Sequence, residues 1–275
     1  MIDRPTCIAV KRAARSGGVV VPGQRIVPEE VAIAFSYGGS THAVMMGTPG
    51  DLEDFAVGFS LTEGIISDVR QIAAIEIVDG EKGIDVQIAL VDEAAVALTA
   101  RRRSMAGPVG CGLCGIESIE QAVRKVPDVA AVSLNVTHHD LIEAVSLLNG
   151  AQPLYCETRA VHGAGFYLPG KGLVAVREDV GRHNALDKLC GAVIAQQRSG
   201  ADGIVAITSR VSVEMVQKAA ILGSSVLVAI SAPTALAIRT ADEAGMTLVA
   251  LVRGEDFEIF THPQRVQPGT ISDVA

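Results

Sequence analysis

The chain has 275 residues, of which 49% are apolar, with a formal net charge of −8, only 3% aromatics and no Trp. This is enough for one large domain or two small ones. The acidity and the scarcity of stacking groups exclude generic nucleic-acid binding. Five cysteines at irregular spacing (7, 111, 114, 156 and 190), no apolar leader and no apolar run of membrane-spanning length predict a reducing, cytoplasmic setting rather than a disulfide framework or a membrane.

In chain order, residues 1–25 are basic and irregular and read as a loose arm. Val31, Ile33 and Phe35 alternate with less apolar neighbours. The pattern breaks at Tyr37-Gly38-Gly39-Ser40 and resumes through His42-Ala43-Val44-Met45-Met46, which predicts a β-hairpin. Thr48-Pro49-Gly50-Asp51-Leu52-Glu53-Asp54 has the early proline and acids of a helix start. That helix is expected to reach about Glu63 with Leu52, Phe55, Ala56 and Phe59 inward. Strands over 72–79 and 83–91, joined at Asp79-Gly80, complete an α+β part. Met45, Met46 and Met215 read as core residues, and His138-His139 as a solvent-facing helix start.

The stretch Gly110-Cys111-Gly112-Leu113-Cys114-Gly115 places two thiols three positions apart between glycines. Ile116, Ile119, Val123 and Val126 then recur at helical spacing, and Pro127 ends the run. The second thiol therefore falls at a helix N-terminus, where free N–H groups and the dipole favour a thiolate. Arg101-Arg102-Arg103 adds positive charge nearby. Structural zinc needs four ligands, and Cys7, Cys156 and Cys190 are isolated, so no structural metal is expected. A Gly-rich loop suits thiol exchange, with persulfide as one reversible state.

From Thr137 the chain reads helix (138–149), strand (161–168), strand (172–177), helix (182–198), strand (203–208), helix (212–222), strand (225–231), helix (234–244), strand (246–252) and strand (257–261). The β/α alternation predicts a mostly parallel sheet covered on both sides. The order resembles a cytidine-deaminase-like three-layer α/β/α sandwich. Its second helix opens with Gly181-Arg182-His183-Asn184 and its third with Ser212-Val213-Glu214-Met215, so the zinc cysteines of that fold are absent and deaminase chemistry is not expected. The expected organisation is an N-terminal α+β part over 1–136 and an α/β domain over 137–275.

Two polar runs fall at strand ends, where open α/β sheets bind ligands and helix N-termini accept phosphates. Arg177-Glu178-Asp179-Val180-Gly181-Arg182-His183-Asn184-Ala185-Leu186-Asp187-Lys188 is the denser. Arg177, Asp179, Arg182, His183 and Asn184 are candidate binding residues there, whereas Asp187 and Lys188 read as solvated. Ser209 and Arg210 close the next strand, and His162 precedes the first strand of this part. Taken alone, Arg253-Gly254-Glu255-Asp256 reads as a hairpin turn.

Together, Met46-Gly47-Thr48-Pro49-Gly50-Asp51-Leu52-Glu53-Asp54-Phe55, the Cys111–Gly115 stretch, the Arg177–Lys188 run, Ser209-Arg210-Val211-Ser212-Val213-Glu214 and Phe260-Thr261-His262-Pro263-Gln264-Arg265 resemble the formate dehydrogenase accessory sulfur carriers, the FdhD/NarQ family. The resemblance implies a sulfurtransferase-type carrier. It would take sulfur from a cysteine desulfurase as a persulfide on Cys111, with Cys114 as neighbour. It would pass that sulfur to molybdenum bis(molybdopterin guanine dinucleotide), destined for the molybdenum subunit of formate dehydrogenase. It implies a homodimer, GDP as a mimic of the cofactor, and a cofactor-binding segment at Leu251, Val252, Arg253, Gly254, Glu255 and Asp256. Arg159 stands where the family often has glycine. The rival readings are a thiol–disulfide oxidoreductase and a non-catalytic cofactor chaperone.

Overall fold

Paired glycines and period-two alternation build the first third of the protein. A computed structural model describes residues 4–105 and 126–268. Strands β1 (Cys7–Ser16) and β2 (Val19–Pro28) form an antiparallel hairpin, so most of the expected loose arm is ordered. Gly17 and Gly18 have φ of 59° and 86°, the left-handed pair that a two-residue hairpin turn demands. Basic residues and prolines had concealed the alternation.

Strands β3 (Val31–Tyr37) and β4 (Ser40–Gly47), helix α1 (Leu52–Thr62), and strands β5 (Ile72–Gly80) and β6 (Gly83–Leu90) follow as expected. They form a sheet in the order β4-β3-β6-β5. One face buries Ile33, Phe35, Ile84, Val86 and Ile88 against Leu52, Phe55, Ala56 and Phe59 of α1. The Phe35 and Phe59 rings stack with centroids 4.3 Å apart. Pro49 is not the first helical residue: Asp51, at φ 54°, turns the chain into α1 two residues later. Met46 lies outside the core, with 52% of its surface exposed, because the alternation carries it to the other face of β4. Helix α2 (Asp92–Met105) was not anticipated.

After β7 (Val136–Thr137) come α3 (His138–Gly150), the short α4 (Pro153–Thr158), β8 (His162–Leu168), β9 (Gly172–Asp179), α5 (Arg182–Ala195), β10 (Ile204–Ile207), α6 (Val213–Leu222), β11 (Val226–Ala229), α7 (Ala235–Glu243), β12 (Thr247–Arg253), β13 (Asp256–Thr261) and β14 (Val266–Gln267). Thr137 and Asp140 form a reciprocal capping box that starts α3. Six strands make one sheet in the order β13-β12-β11-β10-β8-β9. Only β10–β11 and β11–β12 pair in parallel, while β12–β13, β8–β10 and β8–β9 are antiparallel. The sheet is therefore mixed rather than mostly parallel, because hairpins at both ends replace crossovers.

Alternate strand residues face opposite sides, as the pleat requires. Phe166, Val205, Ile207, Leu227 and Leu248 pack under α5, α6 and α7. Tyr167, Ile204, Ala206, Val226 and Val249 pack against Leu141, Val145 and Leu148 of α3. Among the described residues no helix is long and apolar enough to cross a membrane.

Helix α1 lies directly on α5, and the two backbones touch. A Cβ on Gly58 would fall 1.7 Å from the Asp187 carbonyl oxygen, and one on Gly191 would fall 1.9 Å from that of Asp54. Glycine here serves close approach rather than flexibility. Gly191→Ala is therefore expected to force the helices apart and to cost about 3 kcal/mol or more in urea unfolding. Gly150→Ala, where nothing lies within 4 Å of the added Cβ, is expected to be neutral within about 0.5 kcal/mol. Equal effects from the two substitutions would contradict the contact.

Candidate functional site

The strand order brings the sequence-predicted residues to one edge of the six-stranded sheet. Asp179 ends β9 and pairs with His162, which begins β8. The Thr208 N–H donates to the Gly163 carbonyl (3.0 Å), so the end of β10 lies beside them. Ser209 and Arg210 follow, one buried and one exposed. The carboxyl end of β12 lies two strands from β10 along the same edge, or about 10 Å away at ordinary strand spacing. There Arg253, Gly254, Glu255 and Asp256 form an exposed two-residue turn between paired Arg253 and Asp256. Leu251 has φ 58° within an irregular stretch of β12. A left-handed, γ-branched residue in a strand stores backbone strain of the kind held at functional sites. Val252 is buried beneath it.

Asp179, Asn184 and Lys188 occupy a closed network at this edge. The Asp179 carboxylate accepts from Lys188 Nζ (2.7 Å), Asn184 Nδ2 (2.9 Å), the Thr48 N–H (2.9 Å) and the Gly181 N–H (2.8 Å). Lys188 Nζ also donates to the Thr48 carbonyl (2.9 Å), and Asn184 Nδ2 to the Met46 carbonyl (2.8 Å). Both partners of the ion pair are wholly buried. Lys188 is thus not solvated, and neither is Asp187, which pairs with buried Lys218 (2.8 Å) and accepts from Thr62 Oγ1 (2.6 Å). These links fasten β4 and α1 to α5 and α6. Arg177 is likewise engaged, its Nε donating to Asp54 Oδ2 of α1 (2.8 Å).

The remaining residues line a notch between the starts of α5 and α6. Neither Gly181 nor Ser212 caps its helix with a side chain. Arg182 Nε and His183 Nε2 are buried and lack a hydrogen-bond partner among the described residues. His183 Nε2 lies 3.8 Å from Glu214 Oε2. Burial, reinforced by Arg182 and Lys218, pushes the His183 pKa down to about 4. Burial and then Arg182 lower that of His162 too. Burial opposes ionisation of Glu214, but neighbouring polar groups, His183 and Arg182 outweigh it, and its carboxyl stays below the usual range. His183 is therefore neutral at pH 7. The notch offers the Arg182 guanidinium and the uncapped N-terminus of α5, groups that suit an anion, while at the start of α6 the Glu214 carboxylate accepts from its own N–H. Glu214 was not singled out from the sequence; its place in the first turn of the helix after Ser209-Arg210 was the available signal.

Arg159, which caps α4, sits at φ 58° and ψ 26°. This left-handed conformation is the one glycine adopts without strain. The arginine is held there with its guanidinium 5.1 Å from the Tyr155 ring centroid.

Of the cysteines in the described residues, Cys190 is fully buried in the core and its thiol is pushed up by burial. Cys7 donates to Glu157 Oε2 (3.3 Å), which also raises its pKa. Cys156 is exposed. Cys111 and Cys114, with the helix expected after them, lie outside the described residues.

The profile of the FdhD/NarQ family matches residues 28–267. This chain belongs to that family. It is 68% identical to the sulfur carrier protein FdhD of Agrobacterium fabrum, over 94% of this chain and 95% of the relative. It is 62% identical to the protein of the same name from Brucella abortus, over 88% and 90%, and 46% identical to that of Cupriavidus necator, over 94% and 89%. Among solved structures, a candidate formate dehydrogenase accessory protein from Desulfotalea psychrophila matches with a TM-score of 0.76 at 25% identity, over 96% of this chain and all of that one.

The shifted histidine has a measurable consequence. Unfolded, the imidazole takes up a proton near pH 6.5; folded, His183 waits until about pH 4. The unfolded state binds more protons between these values, so stability falls as the pH drops through this window. Urea unfolding is expected to show a smaller loss between pH 7 and pH 5 for His183→Gln than for the unsubstituted protein. Identical losses would place the proton uptake elsewhere.

Proposed function

We propose that this protein is a sulfur carrier that accepts sulfane sulfur on Cys111 from a cysteine desulfurase and delivers it to molybdenum bis(molybdopterin guanine dinucleotide) for formate dehydrogenase. Membership of a family whose curated relatives are named sulfur carrier protein FdhD supports the role. The observation that carries the site is the pair of buried nitrogens, Arg182 Nε and His183 Nε2, that have no hydrogen-bond partner among the described residues, at the start of α5 and facing the start of α6.

Loading is a thiol exchange. The Cys111 thiolate attacks the terminal sulfur of the desulfurase persulfide, a new S–S bond forms on Cys111, and the desulfurase thiolate leaves, with no net oxidation. Cys190 is too buried for this chemistry, and Cys7 is held as a thiol by Glu157. Cys156 is exposed, so the step is assigned to Cys111, with Cys114 as its neighbour, on the family resemblance.

The residues present fit a multiply anionic dinucleotide. Arg182, His183 and the first-turn N–H groups of α5 would take its phosphates, with Arg210 and His162 beside them. The turn Leu251, Val252, Arg253, Gly254, Glu255 and Asp256 would take a second portion through its backbone and Arg253. Ser209 shapes the floor. Arg177, Asp179 and Asn184 act behind the site by fixing its walls. When bound, the cofactor supplies the molybdenum centre that receives sulfur. The mixed sheet with helices on both faces also supports reading residues 137–275 as a deaminase-like α/β/α domain after an N-terminal part over 1–136. No zinc step is assigned to it.

Calorimetry with GDP tests the site. Arg182→Ala is expected to weaken binding by about 1.5–3 kcal/mol, roughly ten- to a hundredfold, as a charged hydrogen-bond donor lost to a phosphate should. Cys111→Ala is expected to bind GDP normally and to fail in sulfur delivery to formate dehydrogenase. Unchanged affinity in Arg182→Ala would remove the notch from the site. Lost affinity in Cys111→Ala would contradict separate carrier and binding elements.

A further inference from the structure

Three helices start along the carboxyl edge of the six-stranded sheet, and their first turns differ in kind. Helix α7 is closed by its own cap, since Thr234 Oγ1 accepts the Ala237 N–H (3.2 Å). Helix α5 opens on Gly181, which brings no side chain to the first turn. Helix α6 carries an acid there: the Glu214 carboxylate accepts from its own N–H and is ionised at neutral pH. An ionised carboxylate repels a phosphate and accepts hydrogen bonds without donating any. Of the three starts, α5 suits an anion and α6 suits a neutral group that carries a proton.

The residue facing Glu214 narrows the choice of that group. His183 Nε2 is buried, has no hydrogen-bond partner among the described residues, and stands 3.8 Å from Glu214 Oε2. That separation is too long for a direct hydrogen bond. The imidazole is neutral at pH 7, so the two do not form an ion pair. An oxygen about 2.8 Å from each spans the gap. With the imidazole proton on Nε2, this oxygen accepts from His183 and must donate to Glu214. A hydroxyl does both. An ionised phosphate oxygen has no proton to give, and an ammonium has no lone pair to offer.

We propose that Glu214 and His183 form a ribose subsite, in which one sugar hydroxyl of a bound nucleotide donates to the Glu214 carboxylate and accepts from His183 Nε2. This subsite rests on the nucleotide-binding reading of the crevice and narrows it. The phosphate belongs to Arg182 and the α5 N–H groups, and the sugar joined to it falls on the next helix start. Pyrophosphate on a helix N-terminus and an acid on a ribose hydroxyl is a division of labour that dinucleotide-binding α/β sheets use generally. The His183 and Glu214 side chains are 32% and 33% exposed, so a torsional shift of Glu214 admits the hydroxyl from the crevice. Glu214 thereby selects ribonucleotides over their deoxy forms.

Calorimetry of the full chain with GDP, 2′-deoxy-GDP and 3′-deoxy-GDP tests this. At least one deoxy form is expected to bind about tenfold or more weakly than GDP, as loss of a charge-assisted hydrogen bond should give. Glu214→Ala is expected to weaken GDP by a similar factor and to bind all three nucleotides alike. A purely structural role for Glu214 would lower the three affinities together and leave their ratios unchanged. Equal affinities of the unsubstituted protein for GDP and both deoxy forms would overturn the ribose subsite. So would discrimination that survives in Glu214→Ala. Either result leaves the anion site, probed by Arg182→Ala, standing. Failure of GDP to bind at all would overturn the nucleotide reading, and the subsite with it. The comparison on the unsubstituted protein needs no variant, so it decides the matter even if Glu214→Ala does not fold.

Discussion

The Asp179 carboxylate is the constraint on which the rest depends. Buried completely, it is tolerable only because four donors converge on it: Lys188 Nζ, Asn184 Nδ2 and the Thr48 and Gly181 N–H groups. Those donors come from the loop before α1 and from the start of α5, so satisfying one charge joins two halves of the chain. Removing either member of a buried pair leaves an uncompensated charge, at a cost of about 3–5 kcal/mol. The Asp187–Lys218 pair repeats the device from the neighbouring residue of α5, reaching Thr62 and α6. The polar residues of the Arg177–Lys188 run thus divide between the seam and the notch. Asp179, Asn184, Asp187 and Lys188 point to the seam, while Arg182 and His183 face the notch.

This division shows how the proposed binding edge sits at a junction. Gly58 and Gly191 let α1 and α5 meet backbone to backbone, which leaves no room for the helices to slide. With α5 so fixed, its N-terminus holds Arg182 and His183 against the start of α6, with Arg182 Nε and His183 Nε2 unpartnered among the described residues. Their desolvation is maintained by the packing beneath them. A site prepared in this way discriminates by charge and shape, and it loses little on binding because its groups are already ordered.

Much of this was legible in the residues. Period-two alternation located β3 to β6, and β/α alternation located nearly every element from α3 to β13, because long periodic segments carry strong signals. The clustering of His162, Arg182, His183 and Ser209 at one sheet edge followed from strand ends. Other features were not legible. The arm hairpin lacked a buried face, so its only signal was Gly17-Gly18. Strand direction was misread because sequence alternation does not distinguish a crossover from a hairpin at the sheet ends. Asp187 and Lys188 looked solvated because charge alone does not reveal that Lys218, thirty residues on, and Thr62, in another part of the chain, neutralise and cover them. Arg159 shows the converse: its left-handed backbone, the conformation glycine adopts without strain, is not signalled by an arginine.

The central claim is that one chain carries sulfur on a CxxC segment and holds its acceptor elsewhere. The most direct test is the mass of the peptide containing Cys111 and Cys114 after incubation with a cysteine desulfurase and cysteine, before and after a mild thiol reductant. A persulfide and a sulfinic acid are nearly isobaric, and only the former is reversed by reductant. The account predicts a gain of one sulfur, located on Cys111 by fragmentation and lost on reduction. No gain with a competent desulfurase, or a gain that resists reductant, would contradict it.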